Sequence, residues 1–527
     1  MRRLPLLVAA VVTLLPVTLL STTSSASAAT GKLTVKTYDR AGATFRTKVQ
    51  IINLATNESW TVSSFTAKAL PKGKYAVITD IWNTKDNTDT LGGSIVTVPA
   101  GSVSATIDAR NGRSVTMNLD KSPGTGYTQT VRAAICTVDN GAPIKIDAWN
   151  SPGRLFVISN SSTNLRFAYS SIWQSEDGKD TYMVAHGPSA KVPAGVRGTV
   201  RTASLGTVTA WARRGPAGSD QTSISFQEDN DCHAGYGAGV FNGQTPGSAK
   251  VHANAGKWIL DADWYAAESN GNTASIGGDT RNLTVAAGKS YARTFFASAW
   301  GPGYHVPELT GSSLTFDTDS MFRDPGNSGS MMEASELSRV ILTDSRNKVL
   351  KSQWRQSWGD HGDPFFTARI PARDWYTLQI NARRYRPGIT YPADMLSTSA
   401  QLTFKMRLDP KAKPRLTDVL LPRLTPSGLN LRNEAKAGGT TTVRIDTERR
   451  TWDTDLAVGK VTPRSVSLLA SFDQGKTWKP MPVKKSGTAW VGTVTNRGAG
   501  TIWLRSRVTS TTGAYAQVTI ARAYAVA

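Results

Sequence analysis

A serine set between glycines, Gly326-Asn327-Ser328-Gly329-Ser330, could serve as an acyl-transfer nucleophile, and His186 in Val184-Ala185-His186 lies upstream as a general base. Such chemistry needs hydroxyl and imidazole in one site, with a carboxylate that orients the ring. The preceding Pro325 makes the stretch Pro-Gly-Asn-Ser-Gly, which reads first as a loop. A domain boundary inferred near Pro302 also puts His186 and Ser328 in different units. No catalytic residue is therefore assigned, and Ser328 and His186 stand only as the candidates of a hydrolase reading.

Metal chemistry has less support. The five histidines, His186, His233, His252, His305 and His361, form no His-x-x-x-His pair, so neither a metal site nor a cofactor is expected. Two oxygen-rich stretches, Asp317, Asp319 and Asp324, and Asp80, Asp86 and Asp89, lack the Asp-x-Asp-x-Asp-Gly pattern of a calcium loop and read as solvated turns. Paired carboxylates for glycoside hydrolysis come from distant positions, so spacing is silent on them. Acids also collect in loop strings such as Glu228-Asp229-Asn230-Asp231. Fifteen tryptophans raise a carbohydrate-binding reading, because an exposed indole face stacks on a sugar ring. Trp173, Trp211, Trp258 and Trp264 sit in alternating runs and are expected inside. Trp82, Trp300 and Trp358 sit in loops and are the binding candidates.

The elements that must position these residues are short β-branched and aromatic runs punctuated by 46 Gly and 25 Pro, which argues for an all-β chain of tandem antiparallel sandwiches. Residues 331–340 are the best helical candidate, and they are few. The N-terminus has Arg2 and Arg3, an apolar run over 4–20 and small residues over 21–29, the pattern of a signal peptide (residues 1–28) cleaved after Ala28. Secretion follows, and no mature segment is apolar enough to span a bilayer. Cys136 and Cys232 are the only two cysteines, so an oxidising exterior predicts one disulfide.

Four units are expected: 31–120, 128–302, 304–406 and 415–527. The linkers are Pro123 to Tyr127 and Asp409-Pro410-Lys411-Ala412-Lys413-Pro414, where proline and charge disfavour a central strand. The formal charge is +22, and loss of Arg2 and Arg3 leaves 59 cations against 39 acids, or +20, in the mature chain. The excess is spread along the sequence with no dense basic run. It therefore predicts salt-sensitive attraction to polyanions and not specific nucleic-acid binding.

Three local patterns resemble known families. Leu70-Pro71-Lys72-Gly73-Lys74-Tyr75-Ala76-Val77 resembles the hairpin of prealbumin-like (carboxypeptidase regulatory-like) modules, with Tyr75 and Val77 expected to point inward. Ser471-Phe472-Asp473-Gln474-Gly475-Lys476-Thr477-Trp478 is similar to the Asp box of sialidase-like propellers. There the box is structural; one copy here predicts a hairpin in which Asp473 bonds turn amides, Gly475 takes positive φ and Trp478 packs back. Gly326 to Ser330 resembles the Gly-Asp-Ser-Gly-Gly of chymotrypsin-like enzymes, but Asn327 replaces the acid and Ser330 the last glycine.

The order of the pieces resembles the non-catalytic C-terminal accessory region of large secreted subtilisin-like serine peptidases of filamentous Gram-positive bacteria. Thr106-Ile107-Asp108-Ala109-Arg110-Asn111-Gly112-Arg113, the hairpin at 339–350, Leu396-Ser397-Thr398, Gly498-Ala499-Gly500 and Arg522-Ala523-Tyr524 carry it. The subtilase catalytic domain is missing: there is no Gly-Thr-Ser-Met-Ala-x-Pro and no His-Gly-Thr-His. The resemblance implies a stand-alone relative without its chemistry. The expected function is non-enzymatic extracellular binding or cell-surface association, with cell-wall polyanions, carbohydrate or another secreted protein as partner. The alternatives are a secreted hydrolase, peptidase or glycosidase, and an accessory subunit of a separately encoded serine protease.

Overall fold

Strand-period alternation governs almost every segment of the computed structural model, which describes residues 30–527 except 138–143, 216–220, 229–231, 233–237, 304, 319–320, 327–329, 332–335, 358–364 and 451–458. The chain is all-β; among the described residues only the single-turn 3-10 segments Ala109–Asn111 and Thr202–Ser204 depart from strand and loop. The signal-peptide stretch 1–28 lies outside the described residues.

The N-terminal sandwich has Thr30–Tyr38 between Ala67–Pro71 and Ser102–Asp108 on one side. Ser59–Ser63, Lys48–Asn53, Gly73–Asn83 and Thr88–Val98 form the other. Leu33, Val35, Val49, Ile51, Tyr75 and Val77 fill the space between. Tyr75 and Val77 face inward as their hairpin demands, and Tyr75 Oη donates to the Pro71 carbonyl at 2.8 Å.

That second sheet does not stop at the first linker. Leu155–Val157 pairs parallel with Thr88–Val98, and Arg113–Leu119 and Val196–Val200 extend it to seven strands. Its reverse face packs through Ile78 and Leu91 on Val131, Ile135, Leu165 and Phe167 of the next seven-stranded sheet. Ladders are mostly antiparallel, with six parallel pairs where a strand returns beside an earlier one after crossing the sandwich.

Toward the C-terminus a nine-stranded sheet spans two of the expected units. Its order is Val349–Gln356, Glu336–Thr343, Asp374–Arg384, Ser399–Leu408, Tyr515–Val526, Gly500–Ser510, Pro463–Ser471 and Lys479–Met481, with Glu434–Ala435 pairing Tyr515–Val526. Ser399–Leu408 bonds directly to Tyr515–Val526, although 409–414 between them in sequence forms no strand. One contiguous core, from Ile172 to Val526, underlies this sheet.

The best helical candidate, 331–340, is strand where it is described: Ser330–Met331 and Glu336–Thr343. Leu337, Val340 and Ile341 mimic helical spacing, but Val340 and Leu342 enter the core on strand alternation and that burial decides.

Candidate functional site

The nine-stranded sheet alternates between its core face and its outer face, with register shifts at 342/343, 463/465 and 502/504, and register settles which residues share each. The row Val340, Ile380, Leu402, Val518, Ser506 and Leu468 crosses six strands facing the core. One step along, the row Trp354, Arg339, Asn381, Gln401, Thr519 and Arg505 faces away from it. A second outward row runs Ile341, Gln379, Thr403, Gln517 and Arg507, and Lys405 pairs with both Thr377 and Tyr515. Arg383 and Arg407 complete six outward cations. Among the described residues the one acid at an outward position of the sheet is Glu434, on its short marginal strand; the strands that carry the six cations have none. Eight strands at about 4.8 Å spacing make this face roughly 34 Å wide.

Five of those cations lie near rings, Arg383 among them at 5.1 Å from the Tyr385 centroid. Arg505 lies 4.0 Å from the Trp478 centroid, Arg507 4.4 Å from Tyr515, Arg339 5.8 Å from Trp354 and Lys405 5.9 Å from Trp375. A guanidinium held on a ring loses rotamer freedom in advance, and here Nε of Arg505 is also held by Thr519 and one edge of Arg507 by Gln517, so the remaining N–H groups are oriented for an incoming oxyanion. Burial, and then the like charge of Arg507, pull the Arg505 pKa down, a sign of how closely positive charge is gathered. Trp354 stands 60% exposed at the sheet's edge.

The sequence candidates are distributed differently. Ser328 and Trp358 lie outside the described residues. His186 is on the Asp180–Ser189 strand against Tyr169, ring centroids 5.2 Å apart, and burial lowers its pKa. Trp82 is 56% exposed but belongs to the Gly73–Asn83 strand, not a loop.

Trp300, read as an exposed loop residue, is 0% exposed. Gly301 and Arg323 exchange backbone hydrogen bonds that pin the segment inward, and the indole lodges edge-on against Trp264 at 5.9 Å. Trp211, expected inside, is 36% exposed, because Val208, Ala210 and Ala212 take the core side of its strand. Cys136 and Cys232 form a disulfide that ties a strand to a turn.

Of the aspartates read as solvated turns, Asp86 is an exposed turn residue and Asp319 lies outside the described residues, but Asp80, Asp89, Asp317 and Asp324 are not solvated. Asp80 and Asp89 sit on adjacent strands, Asp80 opposite Leu91 and Asp89 opposite Trp82, facing the core shared with Ile78 and Leu91. Burial, a hydrogen bond with Asp89 and the charge of Asp89 push the Asp80 carboxyl up to about 9, so it is protonated at neutral pH. Burial raises Asp89 as well. Asp324 is fully buried: Ala297 and Gly326 amides donate to it at 2.9 and 2.7 Å, and Arg281 approaches to 3.6 Å. Asp317 lies 3.1 Å from His305 Nδ1.

Sequence reading also missed a line of residues from four strands. Thr207 Oγ1 is 3.1 Å from His252 Nδ1, His252 Nε2 is 3.0 Å from Asp180 Oδ1, and Tyr127 Oη donates to Asp180 Oδ2 at 2.7 Å. Hydroxyl, imidazole and carboxylate thus meet. Tyr182 stacks on the imidazole at 4.4 Å and Tyr127 caps the acid, so the line is a braced network on a sheet face. Among the described residues no group of three or more His, Cys, Asp or Glu is placed to hold a metal ion, and no helix is long and apolar enough to cross a membrane.

No protein-family model matches the chain, and no curated protein matches its sequence. Two solved structures are similar at low identity. A tetra-tandem repeat from the extending region of a large adhesion protein is 12% identical, covering 94% of this chain and 99% of its own, with a TM-score of 0.14. The FN1–FN3 domains of chicken CNTN1 are 10% identical, covering 67% and 93%, with a TM-score of 0.13.

Proposed function

We propose that the protein is a secreted, non-enzymatic binding protein that associates with extracellular surfaces through the outward face of its nine-stranded sheet, taking anionic polymers such as cell-wall polyanions. The observation that carries this is the register of that face: six cations, five of them near aromatic rings, against one outward acid, Glu434, at the sheet's margin among the described residues. A flat surface of that kind matches a repeating negative charge along a chain, and its attraction is screened by salt. The chain's resemblance to the accessory region of subtilisin-like peptidases, with the catalytic domain absent, supports the same reading, as does its disulfide.

The test is sedimentation of the mature protein with isolated cell walls at rising ionic strength. The wild type binds at low salt and releases as salt increases, and the Arg339→Gln/Arg507→Gln pair releases at markedly lower salt. Binding that ignores both salt and these substitutions defeats the proposal.

One observation favours a second reading. The Asp80–Asp89 carboxyl pair lies beside the exposed Trp82, and two hydrogen-bonded carboxyls that share a proton are equipment for acid–base hydrolysis. Peptide or glycoside turnover by the wild type, abolished in Asp80→Asn, would establish it. A role as accessory subunit of a separate protease predicts instead co-purification of that protease from culture fluid.

A further inference from the structure

Strands and loops from three parts of the chain surround a polar cleft of about 140 Å³, lined by Arg214, Asp394, Arg432, Glu434, Thr501 and Arg522 among others. Its two acids are already engaged: Asp394 Oδ2 takes Arg214 Nη2 at 2.7 Å, and Glu434 Oε2 accepts from Asn430 Nδ2 at 2.9 Å. Arg522 uses Nη1 on the Ala393 carbonyl at 2.6 Å. The exposed Arg432 side chain has no polar partner among the described residues. Arg214 is thus partly neutralised within the cleft by Asp394, while Arg432 and the remaining N–H groups of Arg522 and Arg214 are left to face the space.

The rim is held with unusual firmness. Asn433 has φ 62°, Arg522 50° and Ser397 48°, a left-handed conformation that non-glycine residues adopt only when their surroundings enforce it. Ser397 N–H donates to the Arg522 carbonyl at 2.9 Å. The Asn433 side chain is fully used: its oxygen accepts from Arg213 Nη1 and the Ser298 amide, both at 3.2 Å, and its nitrogen donates to the Arg214 and Phe296 carbonyls, both at 3.0 Å. Left-handed backbone fixed by saturated hydrogen bonding gathers at functional sites, because it holds side chains in place before a ligand arrives.

We propose that this cleft binds a single phosphate-type oxyanion. Planar guanidinium forks arriving from separate segments offer N–H pairs from several directions, which matches a tetrahedral dianion better than one planar carboxylate. The volume suits one small group with residual water and is too small for a polymer segment. The site lies at one end of that sheet, beyond the rows that carry the six cations, and shares none of those six residues, so either reading can fail without the other.

The experiment is calorimetric titration of the full mature chain with inorganic phosphate at low ionic strength, with sodium chloride, sodium acetate and glycerol phosphate as parallel arms. One saturable phosphate per chain is expected. Arg432→Gln, at an exposed position that leaves folding intact by circular dichroism, should weaken it at least tenfold, while Arg339→Gln on the sheet face leaves it unchanged. Tighter binding of glycerol phosphate than of the free ion would identify a phosphorylated polymer end as the source, and the reverse would identify the free ion. Absence of saturable binding, indifference to Arg432→Gln, sensitivity to Arg339→Gln alone, or acetate binding as tightly as phosphate would each overturn the proposal.

Discussion

The guanidinium carbon of Arg505 lies 4.0 Å from the ring centroid of Trp478, joining the Ser471-to-Trp478 turn to the outward face of the nine-stranded sheet. Trp478 is half-buried by this contact, so the turn's last residue packs on the strand Gly500–Ser510 as well as closing its own hairpin. Trp478→Ala is expected to destabilise the C-terminal unit by about 1 to 2 kcal/mol, the range of a partly desolvated cation–π pair. The freed Arg505 should also make cell-wall retention more salt-sensitive. Urea unfolding and the sedimentation assay read the two effects separately; an unchanged midpoint would deny the contact any structural weight.

Asp473 should make the same turn acid-resistant. Thr477 Oγ1 donates to Oδ2 at 2.5 Å, the Thr477 amide to Oδ1 at 2.8 Å and Ser471 Oγ to Oδ1 at 2.7 Å, and together they lower the carboxyl to about 2. The folded pKa lies below the ordinary value, so its stabilisation is complete above the ordinary carboxylate range and is lost only as pH falls toward 2. A side-chain NMR titration should place the Asp473 transition at the bottom of the carboxylate range. Asp473→Ala should remove the turn's amide protection; a transition at the model-peptide value would contradict the hydrogen-bond account.

Local features such as this turn were legible in sequence because three to eight neighbouring residues determine them. The Pro71 and Gly73 hairpin with Tyr75 inward, and the positive φ of 84° at Gly475, are of that kind. The outward sheet face was not legible, because it depends on register between distant segments. Gln401 meets Thr519 and Arg339 meets Asn381 only after the sheet forms. A basic excess spread evenly along the chain is gathered onto one face by strand alternation, which a search for dense basic runs cannot detect. Trp300 failed for a related reason: glycine and proline around it signal a loop, but not that Gly301 packs against Ile520 closely enough for an added Cβ to come within 2.5 Å of its Cδ1.

Trp300→Ala should accordingly behave as a core deletion. The indole is fully buried beside Trp264, and removal of a buried tryptophan costs about 3 to 5 kcal/mol. Polyanion retention of the surviving folded fraction should be unchanged. Loss of binding at full stability would restore Trp300 to the binding surface.

Reducing the Cys136–Cys232 bond should destabilise the middle of the molecule. The two residues are 96 positions apart, and closing a loop of that size in the unfolded chain is worth roughly 4 to 5 kcal/mol on the chain-entropy account. Thermal unfolding with and without dithiothreitol measures it, and the Cys136→Ala/Cys232→Ala pair should reproduce the reduced behaviour. Equal melting under both conditions would mean that the buried sulfurs only fill space.

Asp80 is expected to give stability a slope opposite to that of Asp473. An unfolded aspartate loses its proton near 3.8, whereas in the folded chain burial and Asp89 hold the Asp80 proton until about 9. Between those values the folded state binds more protons than the unfolded one, so stability falls as pH rises through the window, and the penalty is complete above it. Asp80→Asn keeps the shape and an N–H donor toward Asp89 but cannot ionise. It should flatten the slope and be the more stable protein at pH 8, by on the order of 1 to 3 kcal/mol. Urea midpoints measured from pH 5 to pH 9 decide this. A wild-type midpoint that stays level across the range would mean that Asp80 is ionised in the fold, and its partnership with Asp89 would then have to be abandoned.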